Sequence, residues 1–317
     1  MAMSTFFKIF PPPLFINAPY GGISISDDAV QCIQFSPTSH GQVISKYSNK
    51  ALPPGIVEAG HVMDEARLTA FIAGIAKEHG LSFVKASLPE EKIYLFKTPI
   101  PANADSAAIV QSIEFKLEEN VPMPAAEAIF CFEAIPGTLV ENKNTASVLV
   151  APRKAVETYL NVLTNAGLTV LCFEMAAQAL SKSIVEKDSQ RTILIIHIMN
   201  HKAGVYVVHQ GVVCFSSTIQ LGDDAIGNIH KEVMKVYDYW GQHGEGKKEI
   251  EAAIVCGASA LAARFMEKNF PLPIHVELAN VWQNIFSDKE YIPAVTFEES
   301  LEYAVAAGLA IPSEQFS

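Results

Sequence analysis

Between residues 22 and 35 apolar and polar side chains alternate. Ile23-Ser24-Ile25-Ser26 is followed, after Asp27-Asp28, by Val30-Gln31-Cys32-Ile33-Gln34-Phe35. A period of two on either side of a turn predicts a β-hairpin with one buried face, and residues 42–47 extend it by a third strand. After the breaker Pro53-Pro54-Gly55 the period changes. Leu68, Phe71, Ile72 and Ile75 recur at helical spacing over residues 64–78, and Gly80 stands where a left-handed C-cap belongs. A short apolar strand at 81–87 closes this stretch.

The next block has a different grammar. A strand at 93–100 leads to a helix at 105–119 with Ile109, Ile113 and Leu117 four apart, then to strands at 128–135 and 146–151 and a helix at 153–166. The first pattern then resumes with a strand at 168–173 and a helix at 175–185. A second three-strand meander follows at 192–198, 204–209 and 212–218, with Gly211 at the tight turn. Gly222-Asp223-Asp224 opens a helix running to about Trp240, and the polar residues 241–248 read as an exposed loop. A strand at 252–256, a helix at 259–269, a strand at 274–276 and a helix at 298–310 complete the chain. Three strands, helix, strand and helix occur twice, so the pattern predicts a duplicated α/β unit with an insertion in its first copy. The expected domains are 20–91 plus 168–190, an inserted α+β subdomain at 92–167, and 191–317 with a short helical insertion at about 225–250.

Composition narrows the function classes. Half of the 317 residues are hydrophobic and 18% are charged, as in a protein with a sizeable packed core. Lys and Arg number 23 against 34 Asp and Glu, and a net charge of −11 repels nucleic-acid phosphates and anionic lipid. The five cysteines, Cys32, Cys131, Cys172, Cys214 and Cys256, are odd in number and widely spaced, which predicts buried free thiols in a reducing compartment. No Cys-x-x-Cys pair or His cluster has metal-ligand spacing, so no structural metal is expected. The apolar Phe6, Phe7, Ile9 and Phe10 precede Pro11-Pro12-Pro13 and are too short a run for a secretion signal. The longest apolar run, 193–198, is strand-sized, so no segment is expected to span a membrane.

Several ordered segments carry a resemblance. Ser87-Leu88-Pro89-Glu90 leads into a strand, and Ile113-Glu114-Phe115 precedes Glu118-Glu119-Asn120-Val121-Pro122-Met123-Pro124. Tyr159-Leu160 with Asn165-Ala166-Gly167-Leu168, then Leu221-Gly222-Asp223-Asp224, and finally residues 304–309 follow in order. In these segments the chain resembles the PilM family, the actin-like proteins of type IV pilus assembly, and more distantly the cell-division protein FtsA. The likeness runs from about residue 20 to residue 311. It implies an α/β fold of duplicated actin-like (ribonuclease H-like) domains with an inserted α+β subdomain.

An actin-like cleft grips ATP or ADP with magnesium between two hairpin turns, through backbone N–H groups, close-approach glycines and an Asp. The family pattern is Asp-x-Gly at the end of the first strand of each half. Here Ser24-Ile25-Ser26 and His197-Ile198-Met199 stand in those places, Gln31 takes the place of a frequent Lys, and Cys256-Gly257-Ala258-Ser259 keeps a single glycine of the adenine turn. The residues the resemblance places around a nucleotide are Ser24, Ser26, Asp28, Asn200, Lys202, Gly204, Gly257, Ala258, Ser259 and Gly308. Asp27, Asp28, Asp223 and Asp224 stand near the same cleft. Carboxylates at turns and helix starts are also common for local reasons, and both readings stay open. Loss of the acids and glycines predicts weak turnover or none; binding of ATP or ADP without hydrolysis stays open.

The family's partner is the cytoplasmic tail of PilN, an inner-membrane protein, and this implies a cytoplasmic scaffold held at that membrane through its partner. Leu95, Phe96, Phe115, Phe130 and Phe132 are the candidate partner surface, although core packing is the plainer reading for strand residues. Self-association also stays open. Competing readings are an FtsA-like filament-forming ATP-binding protein, which would usually carry a C-terminal amphipathic helix, and an active ATPase or kinase of the superfamily, which would need a placed base and intact phosphate loops.

Overall fold

The structure is a computed structural model and describes residues 19–39, 41–101, 105–138, 143–244, 249–268, 272–286 and 291–311. The apolar residues 6–10, the end of the polar stretch at 245–248, Asn269 and residues 312–317 lie outside the described residues. The first strands are β1 (Gly21–Ile25), β2 (Ala29–Thr38) and β3 (Gly41–Ala51), followed by the short pair β4 (Val57–Glu58) and β5 (His61–Val62). Then come α1 (Glu65–His79), β6 (Phe83–Leu88), β7 (Tyr94–Pro101), α2 (Ser106–Asn120), β8 (Ala128–Ala134), β9 (Lys143–Pro152), α3 (Arg153–Asn165), β10 (Thr169–Met175) and α4 (Ala176–Ile184). The second half holds β11 (Thr192–Ile198), β12 (Lys202–His209), β13 (Val212–Gln220), α5 (Ala225–His243), β14 (Ala252–Gly257), α6 (Ser259–Glu267), β15 (His275–Leu278), α7 (Phe297–Ser300) and α8 (Ala304–Ala310).

Two five-stranded sheets have the same plan. The first is ordered β10-β6-β1-β2-β3 and the second β15-β14-β11-β12-β13. In each, an antiparallel meander is extended by two parallel strands, β6 and β10 or β14 and β15. The duplicated strand pattern thus becomes a duplicated sheet. Local chemistry fixes the helix ends as the periodicity implied. The Asp64 carboxylate accepts from the Arg67 amide at 2.9 Å to start α1, and Gly80 ends it at φ 59°. The final helix departs from the expected single run, being divided into α7, a 3₁₀ turn at Leu301–Tyr303, and α8.

The inserted block, between β6 and β10 in sequence, forms its own sheet in the order β7-β9-β8. Phe96, Ile113, Leu117 and Val148 fill its core. It also leans on the second half. The Ser147 hydroxyl donates to the Val213 carbonyl at 2.6 Å, and the Lys97 ammonium lies 5.4 Å from the centre of the Trp240 ring. Ile135 and Leu149 pack into the core of the second half, while Ala151 packs into that of the first. The insertion therefore touches both halves.

Candidate functional site

The two halves meet at a pair of hairpin turns, residues 26–28 between β1 and β2 and residues 199–201 between β11 and β12. Between them lies a cavity of about 360 Å³, walled by Ser24, Ser26, Asp28, Gln31, Asn49, Ser87, Glu90, His197, Met199, Asn200, Lys202, Gly257, Ala258 and Glu302 among others. The C-terminal ends of β1 and β11 bring residues 24–26 and 197–199 to this wall.

Protein groups bond directly across the gap. Asn200 Nδ2 donates to Asp28 Oδ2 at 2.5 Å, linking one turn to the other. Lys202 of β12 reaches the first half with its ammonium 2.5 Å from Glu91 Oε1 and 3.6 Å from Asp27 Oδ2. Glu90 and Glu91 lie on a 3₁₀ turn, Glu90–Lys92, that follows β6. The Tyr206 hydroxyl is hydrogen-bonded to Glu90 Oε2. Asp27 is fixed from its own half, accepting the Gly60 amide at 3.0 Å.

The type IV pilus assembly protein PilM family model matches residues 22–253. The chain belongs to the PilM family. A PilM-PilN type IV pilus biogenesis complex has a chain of the same fold, 17% identical, with a TM-score of 0.75 over 93% of this chain and 98% of that one. This likeness establishes the duplicated actin-like fold with its inserted subdomain. Weaker likenesses extend to a Bacteroides thetaiotaomicron protein of actin-like ATPase fold and unknown function, 12% identical over 82% of this chain and 90% of that one, TM-score 0.48. They also extend to the cytoplasmic domain of EpsL from the type II secretion system of Vibrio cholerae, 14% identical over 90% and 94%, TM-score 0.48. No curated protein sequence matches the chain.

Of the residues that resemblance to the PilM family placed around a nucleotide, Ser24, Ser26, Asp28, Asn200, Lys202, Gly257 and Ala258 do meet at one cavity. Three do not line it. Ser259 starts α6 with its hydroxyl 3.0 Å from the Glu298 carbonyl and 3.1 Å from Glu302 Oε1. Gly204 lies under the Tyr206 side chain, where a Cβ would sit 1.6 Å from the phenol oxygen. Gly308, deep in α8, is pressed against α4, and its Cβ would sit 1.8 Å from the Ala179 carbonyl oxygen. Gly204 and Gly308 are glycines for protein packing. Asp224 caps α5, accepting from the Gly227 amide at 3.1 Å, and neither it nor the exposed Asp223 lines the cavity. Glu90, Glu91 and Tyr206 were not foreseen. Their one sequence signal was Glu90-Glu91-Lys92 directly after an apolar strand, which reads equally as a solvated turn.

A magnesium triphosphate needs uncommitted amides and an uncommitted carboxylate. Here the Ser26 amide donates to the Ala29 carbonyl at 2.9 Å and the Met199 amide to the Lys202 carbonyl at 2.8 Å. The Ala29 amide donates to the Ser26 hydroxyl at 3.1 Å and the Ala258 amide to the Ile198 carbonyl at 2.6 Å. Gly257, at φ 104°, holds its backbone against β11, and a Cβ there would lie 1.9 Å from the Ile198 oxygen. Its glycine serves a protein contact. Asp28 is engaged by Asn200 and by the Ser26 hydroxyl at 2.9 Å. Among the described residues no group of three or more His, Cys, Asp or Glu is arranged to hold a metal ion. These four amides and the Asp28 carboxylate are thus engaged by protein groups.

The electrostatics follow from burial. Burial pushes the Glu90 carboxyl up to about 8, with Glu91 adding to the effect and Lys202 opposing it. Burial and then the Lys202 charge push His197 down to about 4, so it is neutral at ordinary pH. Burial would lower the Lys202 ammonium, but Glu91, Asp27 and Glu90 outweigh it and hold its pKa above the usual value. The Glu90 shift has a thermodynamic sign. Between the usual carboxyl value of 4.5 and about 8 the folded chain holds a proton that the unfolded chain has lost, so stability from this group falls as pH rises through that window. The Glu90→Gln variant cannot ionise there. Its unfolding free energy, from urea titrations, is expected to fall less steeply than wild type from about pH 5 to 8; parallel slopes would remove Glu90 from this role.

The insertion offers a second surface. Phe96 is buried in the core of the inserted sheet, and Phe130 and Phe132 pack against that core. Leu95 packs on the core of the second half, and of the five candidate partner residues Phe115, at 81% exposed, stands free on the outer face of α2. Four of the five thus sit in or against a packed core. The residues turned outward are Ile129 and Cys131 on β8, with the exposed Leu171 at a bulge in β10. Burial, and then the charges of Glu133 and Glu174, hold the Cys131 thiol above its usual range. All five cysteines are free, but Cys131 is exposed and Cys172 half-buried, against the expectation of burial. No helix among the described residues is long and apolar enough to cross a membrane.

Proposed function

We propose that this chain is a scaffold of a type IV pilus or related secretion machine, docking the tail of a PilN-like inner-membrane protein while its nucleotide cleft stays idle. In this reading it works on the cytoplasmic side of the inner membrane, held there by its partner. The observation that supports the idle cleft is the set of bonds from Asn200 to Asp28 and from Lys202 to Glu91 and Asp27, which commit polar groups at the two turns to one another. Support for the partner comes from membership of the family and from the relative described in a complex with PilN.

The tail's place in this reading is along the edge strands β8 and β10. Each is the last strand of its sheet, and an edge strand offers unpaired backbone groups to an extended peptide while neighbouring side chains select it. Ile129 and Leu171 supply exposed apolar contacts beside that backbone. The test is a titration of the full chain with the synthetic cytoplasmic tail of the host's PilN-like protein. Saturable binding is expected, weakened about ten-fold or more by Leu171→Arg and unchanged by Phe115→Ala. Phosphate release from magnesium ATP is expected to equal the protein-free rate. Absence of binding, or turnover lost on changing Asp28, defeats the reading.

A further inference from the structure

The chain enters the insertion through a short connection. Strand β6 ends at Leu88, the 3₁₀ turn Glu90–Lys92 follows, and β7 of the insertion begins at Tyr94. The turn has no side-chain cap at Pro89 and is closed by the Lys92 amide on the Pro89 carbonyl at 3.1 Å and the Ile93 amide on the Glu90 carbonyl at 3.0 Å. So short a 3₁₀ piece moves more cheaply than the strands around it. Ile93, between the turn and the insertion, packs against the cores of both halves. Beyond it the insertion rests on the second half through Leu95, Leu149, the Ser147 bond to Val213 and the Lys97 contact with Trp240.

Both acids of the turn reach across to β12. Glu90 Oε2 is hydrogen-bonded to the Tyr206 hydroxyl, and Glu91 Oε1 to the Lys202 ammonium at 2.5 Å. Their other oxygens, Glu90 Oε1 and Glu91 Oε2, are shielded from solvent and have no hydrogen-bond partner. A desolvated, unpaired oxygen costs far more on a carboxylate than on a neutral carboxyl. The groups that act on the Glu90 carboxyl are Glu91 on its own turn, Lys202 and Tyr206 of β12, Thr218 of β13, the Ala177 amide of α4 and Cys256 of β14. Lys202 is the cation among them, and it is already bonded to Glu91 and 3.6 Å from Asp27. Burial outweighs Lys202, Thr218 and Ala177, so the proton stays on Glu90.

We propose that the turn Glu90–Lys92 is a proton-operated joint: with Glu90 neutral the turn seats the insertion against the second half, and ionisation of Glu90 lifts the turn and loosens the insertion. In the lifted state the carboxyl is hydrated and titrates near its ordinary 4.5, whereas in the seated state it titrates at about 8. The seated form therefore binds the proton more tightly. Its ratio to the lifted form is constant below the first value, falls by up to about ten-fold per pH unit between the two, and is constant again above the second. Since Ile93 alone separates the turn from β7, the contacts at Leu95, Lys97 and Ser147 loosen with it. Leu68, Ile72 and Ile75 of α1 lie in the core of the first half and take no part in the joint.

The test needs neither nucleotide nor partner, so its outcome is independent of the reading given above. Hydrogen exchange of the full chain is followed from pH 5 to 8, each rate corrected for the pH dependence of exchange in an unstructured peptide. Amides of β7 and β9 are expected to be less protected than those of α1, and their protection to fall by up to about ten-fold per pH unit. Glu90→Gln, which keeps the shape but cannot ionise, is expected to flatten that slope. Tyr206→Phe, which removes the hydroxyl and keeps the ring, is expected to lower protection of β7 and β9 at every pH while the slope remains. A wild-type chain without the slope, or a Glu90→Gln chain that keeps it, overturns the inference. Equal protection of α1, β7 and β9 at each pH also overturns it, because the proton would then act on the whole fold and not on a joint.

Discussion

Replacing Lys202 with Met is expected to destabilise the fold by about 3 kcal/mol, at the lower end of the 3–5 kcal/mol seen when one partner of a buried ion pair is removed. The Lys202 side chain is 7% exposed, and its partners Glu91 and Asp27 are 16% and 22% exposed. Removing the ammonium leaves two half-desolvated carboxylates facing each other beside Glu90, with water able to reach them only in part. That residual access is the reason for the lower figure. Against a typical total stability of about 5–15 kcal/mol the loss is large. It should appear as a drop in the urea midpoint, and Lys202→Met combined with Glu91→Gln should recover part of it, because the second change removes a stranded charge. A loss under about 1 kcal/mol would mean that the contact behaves as a surface pair and does not hold the halves together.

Gly308→Val is expected to be at least as damaging, at about 3 kcal/mol or more, or to prevent folding. All seven residues of α8 are buried. A Cβ at 308 would lie 1.8 Å from the Ala179 carbonyl oxygen and 2.5 Å from its carbon, both backbone atoms of α4, so no rotamer change makes room. The two helices would have to separate, and Ser183 of α4 would lose its 2.8 Å buried hydrogen bond to the Ala304 carbonyl. Expression level and thermal unfolding of the variant measure this directly. Gly74→Ala in α1 is the control, since nothing lies within 4 Å of its Cβ and a helical alanine should stabilise slightly. A Gly308 variant of wild-type stability would show that the α4–α8 contact tolerates spreading.

Much of the fold was legible because each half of the chain repeats a local pattern. Period-two alternation marked β1 and β2, apolar spacing with Gly80 marked α1, and the strand-sized apolar run at 193–198, broken by His197, marked β11. The two-residue strands β4 and β5 left no readable period, and the sequence showed only the Pro-Pro-Gly breaker before them. The division of the last helix was hidden for a related reason. Residues 298–310 keep helical spacing, and the 3₁₀ turn at Leu301–Tyr303 is a matter of packing. In the site, Ser24, Ser26, His197 and Met199 could be read residue by residue, and seven of the ten residues expected around a nucleotide line one cavity.

By itself, the sequence determined the duplicated strand pattern, the insertion within its first copy and the residues that stand at 24, 26, 197 and 199, since strand period, helix period and residue identity are all local properties. Only the tertiary structure decided what filled the gap: that Lys202 answers Glu91 and Asp27, that Gly204 and Gly308 are packing glycines, and that Phe96 is core while Leu171 is surface. Those outcomes depend on partners 111 to 175 residues away along the chain in the case of Lys202 and Glu91 or Lys202 and Asp27. A carboxylate's neighbours, its burial and its proton are set by such distant contacts, and no local pattern of side chains carries them.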